Sequence, residues 1–353
     1  MNIKKIALLY AFVLAFSSTI LVSCDNEGDS NIQWWDWTYN EPVPEPEPEY
    51  IEPNTAITAL GWENVKETYG ALPEGINVYK APATLEERKT VAYAAVVDLT
   101  KKTWDVWSVM TNDYKTDEEF KTPSQIYDSS NKPVVLVNGG FFFSSEGNYS
   151  QSLSVKGGEV YCWNINYASK DWVTVYNQTA AAFIEHTEGS FEACWTYSNW
   201  NHSENWIYSE PAQNAWGETP CETPSATYPC EAKAFEAKTA IGGGPVLLRG
   251  GEIKNTYTEE LLDISADGAH PRTAIGVTAE KKVVLFVCEG RGMTEGVSGF
   301  TTEEVAKIMK SLGCVEAMNL DGGGSSCMLV NGKETIKGSD GTQRAVASAV
   351  MLK

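Results

Sequence analysis

Short apolar runs that stop at glycine dominate this chain of 353 residues. "KPVVLVNGGFFF", "TAIGGGPVLL", "RTAIGV" and "MNLDGGGSSCMLV" share the design: a run too short for a packed helix, then small residues that open a turn. Apolar runs of about four to eight residues bounded by glycine read as buried strands. Others add turn chemistry between two runs. "SLSVKGGEVYCW", "TAAAFIEHTEGSFEACW", "GGGPVLLRGGEIK", "RTAIGVTAEKKVVLFVCEGR" and "CMLVNGKET" each predict a hairpin. "TVAYAAVVDL" (Thr90 to Leu99) and "KTWDVWSVM" (Lys102 to Met110) predict another. Regular alternation of strands with long helices is absent, so the pattern predicts an α+β fold: a β-rich single domain of mixed or antiparallel sheet with a few helices, over residues 56–353.

Two helices carry explicit start signals. In "FTTEEVAKIMKSLGC", Thr301 is the N-cap, Glu304 closes a capping box and Phe300 can staple onto Val305. Val305, Ile308, Met309 and Leu312 share one face, and Gly313 supplies the left-handed stop. "TPSQIYDSS" repeats the box with Thr122, Pro123 and Gln125.

The start of the chain reads as an export signal. Lys4 and Lys5 precede an apolar stretch from Ile6 to Ile20, and "LVSC" comes next. A small residue followed by Cys resembles a bacterial lipoprotein processing site, so residues 1–23 are expected to be removed and Cys24 lipidated. Acyl chains there would anchor the protein to the cell envelope, on the outer membrane, periplasmic or surface-exposed. Residues 24–55, with "EPVPEPEPEY", predict an extended, self-repelling tether.

The net charge of −20 excludes a nucleic-acid surface but leaves room for a small anion held by one or two arginines. Eight cysteines and three histidines, with no CxxC or HExxH, predict no metal site and no cofactor. Cys221 and Cys230 bracket a Pro-rich loop that a disulfide would staple. Residues 190–235, rich in Trp (Trp195, Trp200, Trp206, Trp216), predict an insertion that either faces glycan or covers a satellite core.

Five strand ends carry polar groups at their glycine junctions: Asn138, Thr239 with Gly242 to Gly244, Arg272 with Thr273, Glu289 with Arg291, and Asn319 with Asp321. Singly, each is an ordinary tight turn. Together they place two arginines and two carboxylates beside core strands, where such groups are paired or functional. Glycine there lets backbone N–H groups approach an anion, so a floor of N–H groups is expected. No Gly-Lys-Ser/Thr comes after any run, which excludes a Walker-type phosphate loop. Two carboxylates suit glycosyl transfer to water, and the arginines suit a phosphate on the substrate. Asp321 is expected to stay ionised.

These motifs in this order, "NGGFF", "GGGPVLL", "RTAIGV", the "TTEEVAKIMKSLGC" helix and above all "NLDGGGSS", resemble the phosphodiester glycosidase family over roughly residues 91–353. The resemblance implies a hydrolase that cleaves the C1–O bond of a sugar-1-phosphodiester, such as an N-acetylglucosamine-1-phosphodiester, on a glycan or envelope polymer. By position it implies Asp321, Glu289 and Arg272 as catalytic. It implies Asn138, Gly139, Gly243, Gly244, Thr273, Arg291, Asn319, Gly322, Gly323, Ser325 and Ser326 as substrate-binding, with Asn138 orienting sugar hydroxyls or water. Glu289-Gly290 stands where the family commonly has Asp-Gly, and the Trp-rich insertion lies outside the family core. Two rivals remain at this stage: a non-catalytic glycan-binding lipoprotein, and a phosphodiesterase that cuts P–O.

Overall fold

Successive side chains of a strand point to opposite faces, so an unbroken apolar run requires cover on both sides. Lys282–Cys288 shows how the chain meets that requirement. Val283, Leu285 and Val287 enter the central core, while Val284, Phe286 and Cys288 enter a second core on the other face. The computed structural model describes residues 55–145 and 147–353. The expected signal peptide, Cys24 and the tether up to residue 54 lie outside the described residues.

Three antiparallel sheets surround the central core. In the largest, the strand order is Glu63–Asn64, Ile76–Lys80, Ala92–Asp98, Lys282–Cys288, Arg272–Thr278, Cys314–Asn319, Val246–Arg249, Glu252–Ile253. The second has seven strands, with Ala180–Glu185 paired between Thr239–Gly242 and Phe191–Ser198. The third has five, with Val135–Asn138 between Met328–Val330 and Ser348–Leu352. Val97, Ile275 and Met318 of the first, Phe183, Trp195 and Ile241 of the second, and Val137, Val330 and Val350 of the third belong to one buried cluster.

The outer face of the eight-stranded sheet is covered by the helix Thr302–Ser311. Its Val305, Ile308 and Met309 are buried in one cluster with Leu247, Ala274, Phe286 and Ala317. Thr301 and Glu304 form the predicted reciprocal cap, and Gly313 has φ 89°. The helix Pro123–Ser129 is capped in the same way by Thr122 and Gln125, and its Ile126 packs with Leu136, Leu329 and Met351 of the five-stranded sheet. The α+β expectation and the five short-turn hairpins, four of them turning on glycine, hold, with every pairing in these sheets antiparallel.

Three expectations are corrected. Ala92–Asp98 and Trp104–Ser108 do not pair with each other. The first lies between Ile76–Lys80 and Lys282–Cys288, and the second pairs with the C-terminal strand, Val106 opposite Val350. Adjacency in sequence suggests a hairpin, but the turn after Asp98 sends the chain into a different sheet. Nor is 190–235 an insertion throughout: Phe191–Ser198, Asn205–Tyr208 and Lys233–Ala234 extend the seven-stranded sheet. Trp195 is 1% exposed and belongs to the core, so the irregular part shrinks to about residues 209–232. Cys221 and Cys230 are free thiols.

The sheets meet where the chain crosses between them, and the glycine runs are those crossings. Gly242 to Gly244 carries the chain from the seven-stranded to the eight-stranded sheet, and Asp321 to Cys327 from the eight-stranded to the five-stranded. A Cβ on Gly243 would collide with the Asn319 carbonyl oxygen, and one on Gly140 with the Gly242 carbonyl oxygen. Glycine is required there because backbone lies against backbone.

Candidate active site

The crossings tie one another together. Asp321 N donates to Gly139 O (3.0 Å), Leu320 N to Thr273 O (2.8 Å) and Gly244 N to Asn319 O (2.7 Å). Asn138, fully buried, is the bracket at their centre. Its Nδ2 donates to Asp321 O (2.7 Å), and its Oδ1 accepts from Thr273 Oγ1 (2.8 Å) and Cys327 N (3.2 Å). The expected contact of Asn138 with sugar or water is therefore replaced by a positioning role: its hydrogen bonds are spent on fixing the Asp321 backbone. Thr273 acts through Asn138 in the same way.

Above this bracket lies a hollow of about 290 Å³. Asp321, Asn319, Gly322, Gly323, Arg272 and Arg291, all singled out in the sequence, line it. Gly243 lines an adjoining trough instead. Gly139, Gly243 and Gly244 serve as backbone crossing points, and their N–H groups are taken by Ser348 O, Ala181 O and Asn319 O. Gly323 N is likewise bonded to Pro271 O, and Gly322 N to Asp321 Oδ1. The expected floor of N–H groups is thus largely occupied by the protein's own oxygens.

Positive charge in the hollow comes from side chains. Three arginines line it: Arg272, Arg291 and Arg344. Arg272 is 2% exposed, and among the described residues no carboxylate pairs with it. Its Nε donates to Phe300 O, its Nη1 to Ile264 O, and its Nη2 to Ser265 O and Gly268 O, at 2.8 to 3.2 Å. A guanidinium has five N–H donors; three of Arg272's hold the 264–268 loop, one holds Phe300 O, and one is left over. Arg291 is exposed and donates to Ser339 Oγ (3.3 Å). Arg344 is paired with Asp340 (2.6 Å) and reaches Ser325 Oγ (3.4 Å).

Gly323 and Gly324 make room for two of these cations. A Cβ on Gly323 would stand 2.9 Å from Arg291 Nη2, and one on Gly324 would collide with Arg344 Nη2. The glycine run lets guanidinium groups lie directly on the backbone beside Asp321.

Burial lifts the Asp321 carboxyl from its usual range to about 6, while the Ser325 hydroxyl, the Gly322 N–H and the Arg344 charge pull in the other direction. The carboxylate expected from the sequence therefore has a raised pKa, because burial outweighs the N–H, hydroxyl and arginine contributions. Glu289 stands apart. It is 3% exposed, its Oε1 accepts from Lys337 N (2.9 Å), its Oε2 is buried without a partner, and it does not line the hollow. Ser325 and Ser326 lie behind the wall, buried; only Ser325 reaches Asp321.

His270 and Arg344 were missed by sequence reasoning, as was Asp263 at the rim. A signal existed for His270: it is one of three histidines and stands two residues before Arg272. Its Nδ1 is buried without a partner, and burial, with Arg272 and Arg291 nearby, holds its pKa below the usual imidazole value. Arg344 gave no signal, since "GTQRAVAS" reads only as the approach to the last strand. Among the described residues no group of three or more His, Cys, Asp or Glu is placed to hold a metal ion. The hollow's cationic ring suits an anionic ligand instead.

Comparison with known proteins points the same way. A family model described as phosphodiester glycosidase matches residues 131–353. An uncharacterised SPbeta prophage-derived protein of Bacillus subtilis, YomE, is 39% identical over 83 residues, or 24% of this chain; the match spans 13% of that relative's length. Among solved structures, the zebrafish N-acetylglucosamine-1-phosphodiester alpha-N-acetylglucosaminidase catalytic domain, auto-inhibited by its pro-peptide, superposes with a TM-score of 0.54 at 20% identity, covering 80% of this chain and 85% of that one. A hypothetical protein from Synechocystis superposes with a TM-score of 0.51 at 17% identity, covering 80% of this chain and 64% of that one. At such identities the superpositions show a shared fold.

Proposed function

This chain belongs to the phosphodiester glycosidase family, and we propose on that premise that it hydrolyses the C1–O bond of a sugar-1-phosphodiester. The observation that carries the reading is the carboxylate of Asp321, with its pKa raised to about 6, in a hollow ringed by three arginines. A phosphodiester bears one negative charge that guanidinium groups bind through paired N–H donors. Arg291 and Arg344, with the remaining N–H of Arg272, hold it. Water supplies oxygen to C1, the C1–O bond breaks, and the electron pair leaves with the phosphate, whose charge the arginines already stabilise. Asp321 takes the proton from that water or first bonds C1 itself; the anomer of the released sugar separates the two. Glu289, outside the hollow, acts on Lys337 rather than on the substrate.

A screen of sugar-1-phosphodiesters in ¹⁸O water tests the reaction. The label is expected on sugar C1; label in the phosphate would mean P–O cleavage. Asp321→Asn should reduce turnover by at least about a thousandfold, and turnover unchanged by a chelator is expected.

We also propose that the protein works at the cell envelope as a lipoprotein, tethered through Cys24, with phosphodiester-linked carbohydrate as its partner and no nucleic acid. Cys24→Ser should move the protein from the membrane fraction to the soluble fraction; retention in the membrane would refute lipid anchoring.

A further inference from the structure

Eight large hydrophobic side chains are exposed among the described residues, and four of them gather at one hairpin. It joins Tyr167–Ala168 to Tyr176–Asn177. Trp172 (82% exposed), Val173 (85%) and Val175 (49%) lie on its connecting loop. Trp200 (63%) lies against Tyr167 of the first strand, with ring centroids 5.2 Å apart. Side chains of this kind gain free energy when they leave water, and an exposed apolar patch marks a contact surface.

The charged residues of the loop are engaged elsewhere. Both carboxylate oxygens of Asp171 accept from the loop itself: Oδ1 from Val173 N (2.9 Å) and Thr174 N (2.7 Å), Oδ2 from Thr174 Oγ1 (3.1 Å). Lys170 Nζ lies 4.4 Å over the Trp216 ring and 3.8 Å from Asp263. On a chain of net charge −20, the loop thus projects Trp and Val with no free charge beside them.

The candidate occupants need different things. A sugar needs polar partners beside its ring, and Val173 and Val175 offer none. A second protein chain needs about 20–30 residues a side, far more than this tip supplies. A bilayer needs only projecting apolar side chains, with indoles at the headgroup level. The chain before Thr55 supplies proximity. Residues 25–54 separate Cys24 from it, a reach of roughly 90 Å if extended at about 3.1 Å per residue. A lipid on Cys24 would hold the domain near the bilayer, at an effective concentration that populates even a weak contact.

We infer that loop 169–175, with Trp200, is a tip that docks on the zwitterionic lipid surface carrying the anchor. This rests on the reading of Cys24 as lipidated. The tip alone is too small to retain the chain, so Cys24→Ser still releases it. Trp172 also lines the trough that shares Phe141, Asp263 and Ile264 with the Asp321 hollow. Docking therefore brings the rim of the candidate active site to the membrane surface.

The test uses the full lipidated chain in phosphatidylcholine vesicles. Tryptophan emission is read as the difference between wild type and Trp172→Ala, which cancels the tether and core indoles. Brominated acyl chains should quench most of that difference, and equally between about 0.1 and 0.5 M NaCl, because an apolar contact is not screened. Val173→Asp puts a charge on the tip, so it should abolish the bromine quenching and restore quenching by iodide, with Tm unchanged. A difference signal that bromine leaves intact would overturn the tip, as would quenching that needs anionic lipid or disappears in salt. Intact mass reads the anchor separately. Acyl groups on Cys24 without bromine quenching would remove the tip and keep the anchor; a Cys24 without acyl groups would remove both.

Discussion

Asp321 sits under two opposed forces, and their balance sets when it can act. Burial favours the neutral carboxyl, while Ser325, the Gly322 N–H and Arg344 favour the carboxylate. Acting as base or nucleophile, it needs the carboxylate, so kcat/KM should rise with pH through about 6 and then level off. Arg344→Ala removes one force that lowers this pKa, so the rising limb should move to higher pH. A limb that stays in place, or activity that falls as pH rises through 6, would contradict the role given to Asp321. Residue identity announces this carboxylate and its glycines. It misreads Asn138, because an amide at a strand end looks the same whether it faces a ligand or bonds to four backbone and side-chain neighbours. Only the partners distinguish the two.

At the scale of elements, the glycine runs are crossings between sheets. Gly243 is the sharpest case, since any side chain there enters the Asn319 carbonyl. Gly243→Ala should lower stability by about 1–3 kcal/mol, the usual size of an overpacking strain, read as a fall in Tm. A variant as stable as wild type would show that the two backbones can separate freely. The capped helices and the glycine-turn hairpins were legible because their determinants are local: a cap is a matter of three residues, and a tight turn of two. The supposed hairpin of Thr90–Leu99 with Lys102–Met110 failed for the opposite reason. The partner of Trp104–Ser108 is the C-terminal strand, more than two hundred residues away, and no local signal encodes that pairing. Composition alone groups Trp195 with surface tryptophans, yet its indole N–H donates to Glu260 Oε1 in the core (3.0 Å).

For the molecule as a whole, that same Glu260 makes stability depend on pH. Fully buried, it accepts from Ala181 N, Trp195 Nε1, Val246 N and Thr256 Oγ1, which joins the seven-stranded sheet to the eight-stranded one. Burial raises its pKa from 4.5 to about 7, and that of Asp321 from 3.8 to about 6. Both folded values lie above the unfolded ones, so the stability these groups contribute is complete below about pH 4 and is lost as pH rises through 6 to 7. Urea midpoints should therefore be higher at pH 5 than at pH 8, and equal midpoints would refute the shifts. A net charge of −20 acts in the same direction, since protonation relieves self-repulsion.

By itself the sequence determined the features set by local chemistry: a β-rich α+β fold, two capped helices, the turns, and a carboxylate beside a glycine run. Tertiary structure decided which groups share a space. It put Arg344, from the stretch before the last strand, against Gly324 and within reach of Asp321. It brought His270 into the hollow, placed Glu289 behind it, and turned Asn138 inward. The reason is physical. Caps and turns are fixed by neighbours a few residues apart, whereas a site is assembled from segments whose proximity depends on how three sheets close over one core.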